Sequence, residues 1–342
     1  MRNFTLRKGF LESKCESRSS FKGFVMLVVM MLMMANSAMA QEVKFEVIDG
    51  LRYSLDAGTK TATLMPKTDG LYSGDIIIPE KVEGHDGLEY VVSSFGASCF
   101  SGCKELTSIA IPSSVTSLGD CCFSGCWGLT SITIPPLVTS LGLGCFSGCW
   151  GLTSITIPSS VISLGDYCFY YCSGLTSITI PSSVTSLGDD CFEGCSGLTS
   201  ITIPPLVTSL SDCCFFSCSG LTSITIPSSV TSLGWWCFSY CSGLTSVTIP
   251  SSVTSLGYDC FSDCKNLETV YFKGKKCDSN YKDLKIPTTS IIKVPKEYLQ
   301  EYKEAFGSDY QYIFAWNPDE QEKITSRLLH VLHHQSLTNP AS

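Results

Sequence analysis

Leu221–Gly243 reads LTSITIPSSVTSLGWWCFSYCSG, and this stretch decides the fold because the chain repeats it. Leu106, Leu129, Leu152, Leu175, Leu198, Leu221, Leu244 and Leu267 each stand 23 residues apart. The prolines from Pro112 to Pro250 and the Cys-Phe pairs from Cys99-Phe100 to Cys260-Phe261 keep the same step. A fixed period overrides any domain count drawn from length, because each unit can bury its apolar face only against its neighbours. The chain of 342 residues is therefore expected to be a repeat solenoid.

Each part of the unit carries a local expectation. L-T-S-I-T-I is a short strand with apolar residues at its first, fourth and sixth places. Proline ends it by removing a ladder donor. V-T-S-L is a second extended piece with Val and Leu inward, and the following glycine turns the corner. The close, x-x-C-F-x-x-C-x-G-L, has apolar residues spaced for one or two turns of helix or for irregular turns. Stacked coils set about 4.8 Å apart would bring identical residues into columns.

Working outward, Ile76-Ile77-Ile78-Pro79 resembles the repeat strand and Ser94-Phe95-Gly96 its corner. The longer gap between them marks an insertion looping around Gly84–Gly87. Ser290–Pro295 suggests one more strand, and Lys296–Gly307 a polar helix closing the stack. At the N-terminus, six basic residues precede the apolar run Phe24–Ala35, and Ala38-Met39-Ala40 fits a signal-peptide cleavage pattern. The expected organisation is a leader at 1–40, an N-terminal cap with a first irregular repeat at 41–95, repeats at 96–272, a C-terminal cap at 273–316 and a tail at 317–342. The mature protein is expected to be extracellular or surface-bound without a transmembrane span.

The repeat core T-S-I-T-I-P-S-S-V-T-S-L-G, the close C-F-x-x-C-x-G-L and the ending Ile292–Leu299 resemble the BspA-type leucine-rich-repeat family, over roughly residues 42–316. The period also lies within the leucine-rich-repeat range. The family close usually carries Ala before the Phe, whereas this chain has Cys there in all eight copies. The resemblance implies a secreted or surface solenoid. Some members act as adhesins towards host matrix proteins or other cells. It brings no catalytic residues with it.

The formal net charge is −8, and no Lys or Arg stands between Lys104 and Lys265, a span holding nine acidic residues from Glu105 to Asp263. Nucleic acid is excluded as a partner on that balance. The chain has only four histidines: His85 in the inserted loop and His330, His333 and His334 in the tail. Neither an enzyme nor a metal or other cofactor is expected. Of the 20 cysteines, 16 form two repeat columns. They fill small apolar slots or, as the other reading, form disulfides between coils. Cys277 lies outside the columns and is the candidate unpaired thiol.

Variation between copies falls in the pair after the corner glycine and the pair after Phe, both expected to face solvent. Trp235, Trp236, Tyr240, Tyr258, Phe216, Tyr167, Tyr170 and Tyr171 occupy these slots and are the candidate ligand-binding residues, since clustered aromatics suit a protein or glycan contact. A column of threonines, from Thr133 to Thr248, makes a hydroxyl face on the strand side. The functional expectation is an extracellular binding protein, with a self-associating structural protein as the alternative.

Overall fold

The computed structural model describes residues 44–317, Asp278 excepted. Two units divide the chain, Met1–Lys44 and Phe45–Ser342, and the solenoid occupies the second. The expected leader and the tail beyond Asn317 lie outside the described residues.

The solenoid has three arms. In the first, the S-I-T strands stack in parallel with the repeat register: Ser131 pairs Ser154, Ser200 pairs Ser223, and Ser223 pairs Ser246. In the second, two-residue S-L strands do the same, as in Ser140 with Ser163 and Ser209 with Ser232. The alternation forces Leu, Ile, Val and the corner Leu inward while Thr and Ser stay out.

Of the two forms open to the third arm, helical or irregular turns, it takes irregular turns. It is a run of turns whose N–H groups alternate between two uses. Cys122, Ser124 and Cys126 bond back to Gly119, Cys121 and Phe123 of their own coil, whereas Cys121, Phe123 and Gly125 bond to Leu143, Cys145 and Ser147 of the next. A helix would consume all these donors internally. Left-handed backbone at Cys121 (φ 55°) and Gly125 (φ 71°) turns alternate peptides towards the neighbouring coil instead.

Through the centre runs a column of phenylalanines. From Phe100 to Phe261 each ring stacks on the next, with centroids 5.2 Å apart at Phe100–Phe123 and 5.7 Å at Phe238–Phe261. The repeat cysteines flank it as buried free thiols. From Cys126 to Cys264 the second cysteine of each close donates its Sγ–H to the Phe carbonyl of the preceding coil, as Cys126 to Phe100 at 3.1 Å and Cys264 to Phe238 at 3.0 Å.

At the N-terminal side, strands Leu51–Asp56 and Thr61–Met65 form an antiparallel hairpin, and the latter runs parallel to Glu89–Phe95. The insertion folds as a hairpin of Lys81–Glu83 with Glu89–Phe95, turning at Gly84–Leu88. Gly74–Ile77 pairs Leu106–Ala110, and Phe95 pairs Leu118, so both resemblances to the repeat are realised. At the other side the first arm continues through Thr269–Phe272 and Ile291–Pro295. A further strand, Ile313–Trp316, was not anticipated. Helix Leu299–Phe306 forms within the expected segment and buries Tyr302 and Phe306 against Phe272 and Tyr281. Among the described residues, no helix is long and apolar enough to cross a membrane.

Candidate functional site

The third arm decides where the variable residues point. Its i→i+3 turns bring the second residue after the corner glycine beside the first residue after Phe, as in Glu193 N–H to Asp190 O, Phe216 N–H to Cys213 O and Ser239 N–H to Trp236 O. These two places therefore lean on each other and recede. Phe216 is only 7% exposed, and Asp190, Glu193, Cys213 and Ser239 are buried as well. The expectation that both slots face solvent is corrected accordingly, and Phe216 becomes a packing residue under Tyr240, with ring centroids 5.2 Å apart.

The aromatic candidates separate into groups. Tyr167, Tyr170 and Tyr171 form one half-buried cluster, with centroid distances of 5.7 Å and 4.6 Å. Burial and the neighbouring Glu193 carboxylate push the Tyr170 hydroxyl pKa well up. Trp235, Trp236 and Tyr258 form another, with edge-to-face contacts at 6.2 Å and 6.3 Å. Trp235 is 56% exposed and Tyr258 and Tyr240 are each 47% exposed, while Trp236 is half-buried and donates its Nε1–H to Asp259 at 3.3 Å.

A shallow groove of about 380 Å³ opens beside this second group. Asp189, Asp212, Trp235 and the serines Ser211, Ser232 and Ser255 are among the residues that line it. The first residues after the corner glycine run Asp166, Asp189, Asp212, Trp235, Tyr258 in successive coils, so three carboxylates lead directly into two exposed rings. Asp212 accepts the Trp235 N–H at 2.7 Å, as Asp166 accepts that of Asp189 at 3.0 Å. Burial, then the Asp166 and Asp212 charges, raise the Asp189 carboxyl above its ordinary range.

One aromatic feature escaped the sequence reading. Trp127 and Trp150, each following the second cysteine of its coil, are 39% and 49% exposed. Lys104 places its Nζ 4.1 Å from the Trp127 ring centroid. Its signal in the sequence is C-W-G in two copies against C-S-G in four others.

Among the described residues, the one group arranged to hold a metal ion is Asp190, Glu193 and Cys213, whose ligand atoms lie within 4.8 Å of one another. Cys277, one of three thiols outside the columns among the described residues, is buried and faces the Tyr281 hydroxyl at 3.2 Å. His85 is exposed at the tip of the inserted hairpin and lies 3.4 Å from Glu46, and the tail histidines fall outside the described residues. The strand face bears the Thr column as expected, exposed at Thr133, Thr156, Thr202 and Thr225.

The family model for the BspA type leucine rich repeat region matches in six copies, over residues 93–219 and 162–285. The chain belongs to the BspA-type leucine-rich-repeat family. Among solved structures, a leucine-rich repeat protein from Bacteroides ovatus is similar at 25% identity and a TM-score of 0.51, covering 78% of this chain and 81% of that one. The T. pallidum leucine-rich repeat protein is similar in fold at 23% identity and a TM-score of 0.51, covering 66% of this chain and 91% of that one. No curated protein matches. The closing arm of this BspA-type chain carries paired cysteine columns with exposed rings beside them.

Proposed function

We propose that this BspA-type protein is an exported binding protein that docks an extracellular partner through the rings Trp235, Tyr258 and Tyr240, supported from beneath by Trp236 and Phe216. The observation that carries this reading is the cost of displaying them. Trp236 and Tyr240 sit at φ 54° and 60°, in slots that most other copies fill with Gly, Asp, Ser or Cys and that only the Tyr167–Tyr171 coil also fills with rings. A bulky side chain in left-handed backbone costs about 1–2 kcal/mol, and leaving large rings in water adds to that. Packing alone does not repay it for Tyr240, which stays half exposed. Strained residues of this kind concentrate at binding sites, and aromatic side chains dominate interface energetics. The basic leader followed by an apolar run supports export, and the family supports a surface role.

The test is binding of the purified full chain to a panel of matrix proteins and glycans, beside a Trp235→Ala, Trp236→Ala, Tyr240→Ala variant shown by circular dichroism to be folded. Saturable binding that the variant loses supports the reading. Binding that survives in the variant removes the aromatic site, and concentration-dependent mass without any ligand favours self-association instead.

A further inference from the structure

We infer that Asp190, Glu193 and Cys213 form a binding site for a divalent ion of the zinc class, which ties two successive coils of the third arm together. The inference goes beyond the docking role proposed above and does not depend on it.

The site is assembled by stacking, not by a contiguous motif. Asp190 and Glu193 belong to one coil and Cys213 to the next. Asp190 and Cys213 occupy the same left-handed slot of adjacent coils, at φ 56° and 54°, so the backbone directs both side chains alike. The Glu193 N–H donates to the Asp190 carbonyl at 3.1 Å, which folds Glu193 back onto Asp190. The Cys213 N–H donates to the Trp235 carbonyl at 2.8 Å. One carboxylate oxygen from each acid and the Cys213 Sγ lie within 4.8 Å of one another, and all three residues are buried. Donors on a tetrahedral zinc stand about 3.3–3.5 Å apart, from bonds of about 2.0 Å to oxygen and about 2.3 Å to sulfur. Small side-chain rotations close the difference.

Two further observations call for a cation among these groups. The first is their joint burial. Acidic side chains gather on many exposed surfaces at little cost, but two carboxylates and a thiol drawn out of water repel one another once ionised, and a divalent ion turns that repulsion into bonds. The second is the Oε2 atom of Glu193, which is closed to solvent and accepts no hydrogen bond. Glu193 does interact with its surroundings, since its charge is felt at the Tyr170 hydroxyl. That one oxygen nevertheless stays dry without a donor, in a residue only 2% exposed, and a bond to a metal ion satisfies it. The residue type is also singular: Glu193 is the only Glu between Glu105 and Glu268, in a slot that the other copies fill with Ser, Tyr or Phe. The donor set selects the ion. Calcium and magnesium take oxygen ligands, whereas a thiolate beside two carboxylates suits zinc. Three protein donors leave the fourth tetrahedral place to a water. Such an ion pins the two coils that separate the Tyr167–Tyr171 cluster from Trp235 and Trp236.

The experiment strips the purified, untagged full chain with a chelator under reducing conditions and titrates it with Co²⁺, whose thiolate charge-transfer absorption reports a bond to sulfur. Zn²⁺ is then added to displace it. One ion per chain is expected, with zinc the tighter of the two. Asp190→Asn, Glu193→Gln and Cys213→Ser keep the shape of the side chains, and each is expected to weaken zinc binding at least about tenfold, since even a group behind a ligand contributes about that much. Cys213→Ser is also expected to remove the charge-transfer absorption. Two controls are expected to behave like the parent: Cys218→Ser, at a column thiol of the same coil, and a His330→Ala, His333→Ala, His334→Ala variant without the tail imidazoles. Circular dichroism checks that each variant is folded. Zinc should also raise the thermal midpoint of the parent and leave that of Cys213→Ser unmoved. Charge-transfer absorption that persists in Cys213→Ser, an equal loss in Cys218→Ser, binding that disappears with the tail histidines, or no binding and no shift of midpoint in the parent each overturns the inference.

Discussion

Trp127 and Trp150 stack face to face, with ring centroids 4.6 Å apart and planes 7° apart. Coil spacing imposes this geometry, because identical slots in adjacent coils must superpose. Such a stacked pair is worth about 0.5–1.5 kcal/mol beyond its buried area, so a double-mutant cycle of Trp127→Ala and Trp150→Ala is expected to give a coupling energy of that size. Lys104→Ala should lower stability by only about 0.5–1 kcal/mol, the usual value of an exposed cation–π contact. Strictly additive losses in the cycle would contradict the stack.

The phenylalanine column has a different weight. Phe169 is fully buried between Phe146 and Phe192, at 5.6 Å and 5.4 Å. Phe169→Ala is expected to cost about 3–5 kcal/mol, from lost transfer energy and a cavity that flanking coils cannot fill. Because a solenoid is stabilised by nearest-neighbour interfaces, the loss falls on two of them at once. Urea unfolding should move to a lower midpoint and split or broaden as the two halves uncouple. A single transition with unchanged slope and midpoint would refute the nearest-neighbour account.

The glycine before each repeat leucine from Leu129 to Leu244 is set by close approach rather than by turn geometry. A Cβ on Gly151 would lie 2.1 Å from the Trp127 carbonyl oxygen, backbone that cannot step aside. Gly151→Ala is therefore expected to destabilise by more than about 1 kcal/mol, whereas Ser196→Ala, at an exposed place in the same arm, should change stability by less than about 0.5 kcal/mol. Thermal melts of the two variants decide the matter, and equal melting points would mean the coils separate more easily than the structure indicates.

These cases show what the sequence could and could not disclose. The parallel arms were legible because Leu221, Ile224, Ile226, Val230 and Leu233 alternate with polar residues and recur at one period. The closing arm was not, since Cys237, Phe238 and Cys241 fit a helix and a run of turns equally, and only the bonds to the next coil separate the two. The same ambiguity hid the burial of Phe216, which depends on the turn folding it against Cys213. Ile313–Trp316 carries none of the repeat's leucine, serine or proline marks and was invisible as a strand. The strong repetition masks Trp127 and Trp150, because a place that reads C-S-G in four copies looks like framework in every copy.

The cysteine columns are expected to make stability fall at alkaline pH. Burial pushes the thiols of Cys149 and Cys195 up to about 12, from an ordinary value of 9.0. Cys149 also donates its Sγ–H to the Phe123 carbonyl at 3.0 Å, so a thiolate there would face an oxygen and lose its bond. The folded chain thus binds more protons than the unfolded one once the pH passes the unfolded thiol value. The stabilisation is fully present below about pH 9 and is lost as pH rises towards about 12, at up to about 1.4 kcal/mol per pH unit for each thiol. Urea midpoints measured from pH 7 upward should decline steeply beyond pH 9, and a Cys149→Ala, Cys195→Ala variant should decline less steeply whatever its midpoint at neutral pH. At pH 8 the folded chain should resist iodoacetamide that alkylates it readily in urea. An alkaline slope unchanged in the variant would show that these thiols do not carry the pH dependence.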